Sequence, residues 1–292
     1  MDILNLLLLV ALSAIWGGSF IFMRHLSPIL GAFITADMRL LLAGVFLVGL
    51  FAVLGIKLEW RKNWKQYLVI GVVNSGIPFL LYSFAALHIP ASISVIVNSM
   101  APMFVAVFSV FWLGERMSYL KVLGLLLGTA GVVLIASTGA VPRSLMALLA
   151  VLACVGAACC YGLAGIYIKK YASNIKPRLI AACSQTMVGI AMLPLIFVFP
   201  PNQDVTLRTA ILLIVFAILC SAVAYLIFYR LVSTVGPTKT LTVTFLMPAF
   251  GMFWGRLFLN ERITAVMVAG ALVILAGTFL VSFEKRLLTH NN

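Results

Sequence analysis

Long apolar runs, broken at near-regular intervals by Pro, Gly and charged clusters, dominate the 292-residue chain. Read against those breaks, the pattern predicts membrane spans over 3–23, 33–54, 66–86, 92–113, 119–137, 145–168, 178–199, 209–229, 238–259 and 263–283. Each run is close to the roughly 20 residues that a helix needs to cross a bilayer. Barrel strands would instead be segments of about ten residues alternating apolar with polar. Connections are short, and none is long enough to hold a soluble domain. The stretch Met1 to Val10 has no basic region and runs straight into a full-length span, so it is expected to be a retained first helix rather than a cleaved signal peptide.

Composition agrees with the pattern. Hydrophobic residues make up 64% and charged residues 9% of the chain, too few polar groups to cover a soluble surface. The net charge of +13 would, taken alone, suggest a nucleic-acid or membrane-surface partner. Placement decides otherwise. Alternate connections carry fourteen Lys and Arg on one side, beginning with Lys57 and Arg61, against five on the other: Arg24, Arg143, Arg208, Arg256 and Arg262. That bias predicts a multi-pass protein of the cell (inner or plasma) membrane with both termini cytoplasmic. No nucleic-acid partner is expected. The five cysteines lie in apolar stretches without metal spacing, and are expected to serve packing.

Comparing the chain with itself exposes a duplication. Shifting residues 100–134 by 146 without gaps gives eleven identities in thirty-five positions, including Pro102/Pro248, Glu115/Glu261, Arg116/Arg262, Gly124/Gly270 and Gly131/Gly277. A shift of 145 pairs Trp16 with Tyr161 and Gly17 with Gly162. Apolar bias explains Leu and Val matches, but not a charged pair, a mid-span proline and two glycines in one register. The predicted fold is therefore an all-α integral membrane protein of ten transmembrane helices in two five-helix repeats, 1–140 and 141–292. Five is odd, so the second repeat enters the membrane from the opposite side. Inverted repeats of this kind let two near-equivalent halves open a central site alternately to each face.

Ala14-Ile15-Trp16-Gly17-Gly18-Ser19-Phe20, the run Arg39 to Ala43, and two copies of Pro followed by Leu-x-Glu-Arg (Pro102 with 113–116, Pro248 with 259–262) resemble the EamA family of the drug/metabolite transporter superfamily. The resemblance covers nearly the whole chain. One departure is Asn260, where the family commonly has the glycine seen at Gly114, and it bears on the turn. The resemblance implies a ten-helix bundle whose central cavity, lined largely by the first four helices of each half, moves amino acids, amines or drugs, with export as the expected direction.

Several residues are candidates to line that path. Each mid-span proline lacks an N–H and displaces the bond to the carbonyl four residues back, freeing the Asn98 and Thr244 carbonyls. In hydrocarbon such groups need a protein partner or a water-filled cavity. Pro102 and Pro248 are thus expected as hinges, with Ser94 and Asn98 on one lining face and Thr240 and Thr244 on its mate. Packing around a kink sealed by Ser or Thr is the competing reading. Asp37 and Arg39, both inside the second span, are costly there and point to function. Two residues apart, they face about 200° away from each other and cannot be a simple pair. Arg39 suits a carboxylate or phosphate, or else a structural tie to helix-end carbonyls. Asp37 is the only acid inside a span, suited to a coupling cation or proton, or else snorkelling or structurally paired near the outer third of the helix. Lys239 is expected either to snorkel or to steer anions, and Arg256 likewise. Trp16, Tyr82, Tyr161, Tyr225 and Trp254 offer aromatic faces, with Trp16 and Tyr161 foremost as repeat mates. Glu115-Arg116 and Glu261-Arg262, with Ser118 and Thr264 as caps, read as a structural latch. The glycines of the fifth and tenth spans permit close helix approach, within the fold or in a homodimer.

A membrane-embedded enzyme is the alternative class, beside a receptor or scaffold that binds without flux. The histidines His25, His88 and His290 fall outside the predicted spans, and no zinc or nucleotide-binding motif occurs. No cofactor or metal is expected. The partners are a small-molecule substrate, a coupling ion or proton, and the lipid bilayer, in a monomer or homodimer.

Overall fold

The computed structural model describes residues 2–137 and 139–289. Met1 and His290 lie outside them. Among the described residues there are helices, turns and short connections, and no strand. The first helix, α1 (Ile3–Val53), has 51 residues, at roughly 1.5 Å each more than twice a bilayer's apolar thickness. It resolves into two limbs at Gly31, whose φ of 80° and ψ of 158° break the helical path. The expected loop near 24–32 is therefore a correction: the first limb continues through His25 to Leu30, and the corner is one glycine. Apolar Leu26 and Leu30, both buried, carry the helix on. Gln203 closes the corner by donating its N–H to the Ile29 carbonyl at 3.0 Å.

The third span consists of α2 (Trp60–Gly71), a π turn (Val72–Gly76) and α3 (Ile77–His88). The fourth is α4 (Ala91–Asn98) with α5 (Ala101–Leu113), the fifth α6 (Tyr119–Ser137) and the sixth α7 (Leu145–Tyr171). In the second half, α8 (Pro177–Met192) ends in a 3-10 segment, Leu193–Phe197. The eighth span joins α9 (Leu207–Ala217), a π turn (Ile218–Val223) and α10 (Ala224–Val235). The ninth comprises α11 (Pro237–Thr240) and α12 (Val243–Leu259), and the tenth is α13 (Ala265–Thr289). With the limbs of α1 taken separately, ten crossings result. His25 and His88 lie inside helices near their ends, not in connections as the sequence suggested.

Local chemistry explains the ends. Asp2, Ser144 and Thr206 cap α1, α7 and α9 by accepting N–H bonds at 3.0, 3.1 and 3.2 Å. Gly114 and Asn260 end α5 and α12 in the left-handed conformation, with φ of 69° and 52°. Asparagine reaches that region more readily than most residues, so the departure at 260 leaves the turn intact. Ser118 and Thr264 accept the N–H bonds of Lys121 and Met267, as expected of caps.

The glycines of α6 and α13 face one another. A Cβ at Gly124 would strike the Gly277 carbonyl and the Val281 side chain, and one at Gly131 would meet Ile274 and the Gly270 carbonyl. These glycines therefore serve contact between repeats within one chain. Gly277→Val should cost about 1–3 kcal/mol by overpacking, read as a lower unfolding temperature in detergent. Gly49→Ala meets nothing within 4 Å and should leave that temperature unchanged or slightly raised.

Candidate functional site

At mid-depth, rings from both repeats cross over. Trp16 on the first limb of α1 meets Tyr225 and Phe228 on α10, with centroids 6.0 and 5.4 Å away. Tyr161 on α7 stacks on Tyr82 of α3 at 6.2 Å. Position 228 follows 82 by 146, so the two contacts are copies of one contact. The repeat mates Trp16 and Tyr161 thus make an exchange, in which each ring pairs with the third helix of the other unit. Trp16, Tyr161, Tyr225 and Asn74 are half-buried, whereas Tyr82 is buried. Asn74 donates its side-chain N–H to the Tyr225 hydroxyl at 3.3 Å, and Tyr82 donates to the Asn98 side-chain oxygen at 2.8 Å. Half-buried rings with hydroxyls or amides at their edges can hold a flat or amphipathic solute.

Arg39 lies behind these rings. Its Nε donates to Ser221 Oγ at 2.9 Å, Nη2 to the Cys220 carbonyl at 3.4 Å, and Nη1 faces Met23 Sδ at 3.9 Å. The guanidinium carbon sits 3.7 Å from the Phe79 ring centre and 4.6 Å from that of Phe216. Cation–π attraction of this kind supports a desolvated charge by about 2 kcal/mol. The π turn of the eighth span supplies Cys220 and Ser221, so the tie to helix carbonyls anticipated for Arg39 is present. Its charge also acts on Tyr161 and Tyr225. No carboxylate touches it among the described residues. Asp37 is fully buried, and both its oxygens lack a hydrogen-bond partner. As the helical geometry required, the two do not pair.

The proline breaks differ between halves. In the fourth span the helix is interrupted at Ser99 and Met100, so Pro102 stands at the start of α5 rather than inside a continuous helix. Pro248 is inside α12, and the Thr244 carbonyl it frees accepts Ser99 Oγ at 3.2 Å. The Ser99 carbonyl in turn accepts Thr278 Oγ1 at 2.8 Å. A serine and a threonine seal the breaks from across the repeat boundary. Ser94 and Asn98 are buried, Thr240 is fully buried against its own helix, and Thr244 is half-buried. Lys239 and Arg256 are exposed, and Trp254 donates to the Ala14 carbonyl at 3.1 Å.

A family model matches the chain twice, over residues 3–137 and 148–283, and its description is the EamA-like transporter family. The chain belongs to the EamA-like transporter family. An uncharacterized transporter of Bacillus subtilis, YvbV, is 27% identical over 96% of this chain and 92% of its own. A chloroplastic WAT1-related protein of Arabidopsis thaliana is 27% identical over 92% of this chain and 67% of its own. Protein PecM of Dickeya dadantii is 25% identical over 91% and 88%. One solved crystal structure shares the fold, with a TM-score of 0.66 over 99% of both chains at 15% identity. This EamA protein is thus a multi-pass membrane transporter of the drug/metabolite transporter superfamily.

Four residues at the centre of the EamA fold escaped the sequence reading. Asn74 and Phe228 hold Tyr225 and Trp16, and Phe79 and Phe216 enclose Arg39. Phe228 was readable as the repeat mate of Tyr82, and Gln185 as that of Arg39. Gln185 is fully buried with its Oε1 unpartnered. Ser99→Ala, which strips the Thr244 carbonyl of its donor, should cost about 1–3 kcal/mol in a thermal unfolding measurement. Ser118→Ala, at an exposed connection, should cost no more than about 1 kcal/mol.

Proposed function

We propose that the chain is a secondary transporter exporting small zwitterionic or anionic metabolites with an apolar or aromatic body, amino acids foremost, by alternating access. The observation that carries this reading is the buried Arg39 charge, with no carboxylate against it among the described residues, behind the half-buried Trp16, Tyr161 and Tyr225. In a low-dielectric core such a charge repels a cationic amine and attracts a carboxylate. The rings then hold the solute's body, and Asn74 and Asn98 offer hydrogen bonds at either side. Ser94, Thr240, Thr244 and Lys239 extend the path toward the membrane faces, and Pro102 and Pro248 mark where helices bend. Asp37, buried without a partner, suits a carrier of a proton or coupling cation.

The repeats divide at 140/141, in keeping with the 148 start of the second family match. The Lys and Arg distribution supports cytoplasmic termini in the plasma or inner membrane. The intrachain use of the glycine faces favours a monomer as the working unit.

Flux into and out of liposomes tests the assignment, with radiolabelled leucine, phenylalanine and tryptophan set against choline and tetraethylammonium. Amino acids should move down an imposed gradient. Tyr161→Ala or Tyr225→Ala should lower their flux roughly tenfold, equivalent to about 1.4 kcal/mol. Arg39→Met should abolish carboxylate-dependent flux, and because it strips Ser221 and the Cys220 carbonyl of their donor it should also cost about 1–3 kcal/mol in thermal unfolding. Movement of the quaternary amines alone overturns the substrate class. Binding without flux under any gradient overturns transport in favour of a receptor, and a chemically altered product overturns it in favour of an enzyme.

A further inference from the structure

The two Leu-x-Glu-Arg turns are alike in backbone and unlike in what their carboxylates hold. Glu115 and Glu261 each follow a left-handed residue, and their N–H groups reach back to the carbonyls of Ser109 and Gly255 at 3.2 and 3.1 Å. Glu261 then crosses to the first repeat. Its Oε1 accepts the Ala91 N–H at 2.7 Å, and its Oε2 accepts the Ser92 N–H at 3.1 Å and the Ser92 hydroxyl at 2.5 Å. Three bonds thus clamp the first turn of α4, where the helix end favours negative charge. Among the described residues, Glu115 instead takes no helix-end amide and meets the second repeat at exposed Lys169. It accepts from Ser109 Oγ at 2.9 Å and lies 3.4 Å from Lys121 Nζ and 3.6 Å from Lys169 Nζ. Burial would raise its carboxyl pKa, but the Ser109 and Lys121 hydrogen bonds and the Lys121 and Lys169 charges outweigh that and lower it.

Sequence differences at matched positions account for the asymmetry. Ser109 corresponds to Gly255, and Ala91 corresponds to Pro237. A Cβ at 255 would come within 2.7 Å of Glu261 Oε2, so only glycine there leaves the carboxylate free to cross. Proline at 237 has no N–H to offer Glu115. The duplicated turn has kept a three-bond clasp between repeats on one membrane face, whereas on the other its carboxylate reaches the second repeat through an ion pair with exposed Lys169.

We infer that Glu261, with Ala91 and Ser92, is a one-sided clasp that holds shut the face bearing the 259–265 connection and sets the resting state of the transporter. The inference rests on alternating access, and the topology proposed above makes that face external. Opening toward it requires the three bonds to break together, whereas among the described residues the Glu115 carboxylate on the opposite face reaches the other repeat through a solvent-exposed ion pair with Lys169, a contact worth little. Weakening the clasp therefore moves population toward the state open on its face and closed on the other.

Hydrogen–deuterium exchange of the full-length protein in liposomes tests this without any solute. In Glu261→Ala, amides at 91–94 should exchange roughly tenfold or more faster than in the unaltered protein, as expected for losing charge-assisted bonds. Amides at 113–121 and 235–242 should slow in the same sample. Gly255→Ser, which keeps the carboxylate but displaces it, should give the same reciprocal pattern and serves if Glu261→Ala does not fold. Glu115→Ala should leave 91–94 unchanged. Faster exchange confined to 91–94 makes Glu261 a helix cap only and overturns the clasp, as does an identical response to Glu115→Ala. Because exchange is read without substrate, a failed clasp and a failed transport assignment are told apart: amino-acid flux tests the second alone.

Discussion

Backbone groups cannot be left to water inside a bilayer, and this requirement organises the whole molecule. At several of the breaks, a side chain from the other repeat closes the gap. Ser99 serves the carbonyl at 244, and Thr278 serves that at 99. Arg39 reaches the carbonyl at 220 in the π turn, and Glu261 takes the amides that begin α4. On the alternating-access reading proposed above, these breaks are where the helices bend. The same bonds that make them tolerable also tie the halves together, so neither repeat is complete alone.

The centre obeys that logic with charge added. A guanidinium buried in the second span would be prohibitive if bare. It is made tolerable by one short bond, two weak ones and two aromatic faces, none of which neutralises it. A charge that is supported but not cancelled keeps a field in the adjoining space, and Tyr161 and Tyr225 stand within that field. On the proposed reading, the charge that selects the solute is the same charge whose burial is costly.

Much of this was legible in the residues. Apolar run length gave the ten crossings, and the matched Pro, Glu-Arg and Gly positions gave the duplication and its inversion. The freed carbonyl at Thr244 and the structural role of Glu261 also followed from local chemistry. The corner at Gly31 was hidden because apolar residues continue through it, and periodicity has no signature for a one-residue turn. The π turns were hidden for a similar reason, since an extra residue in a wholly apolar helix changes no pattern. Ring partners depended on how two units interlock, and sequence names the mates of a repeat without saying which helix of the other unit each will meet.

Those π turns have a consequence for ancestry. They begin at 72 and 218, the same offset that aligns the rest of the repeats, so the widened turn was inherited by both halves rather than acquired twice. Such a turn shifts everything after it by close to one residue's rotation, about 100°. Deleting a residue from one copy alone would swing Tyr225, or its counterpart Phe79, away from the interior. A half-length ancestor, inserted in both orientations and pairing with itself, would already have carried the feature twice. The two halves have since kept that phase, as they have kept the matched prolines, Glu-Arg pairs and glycines.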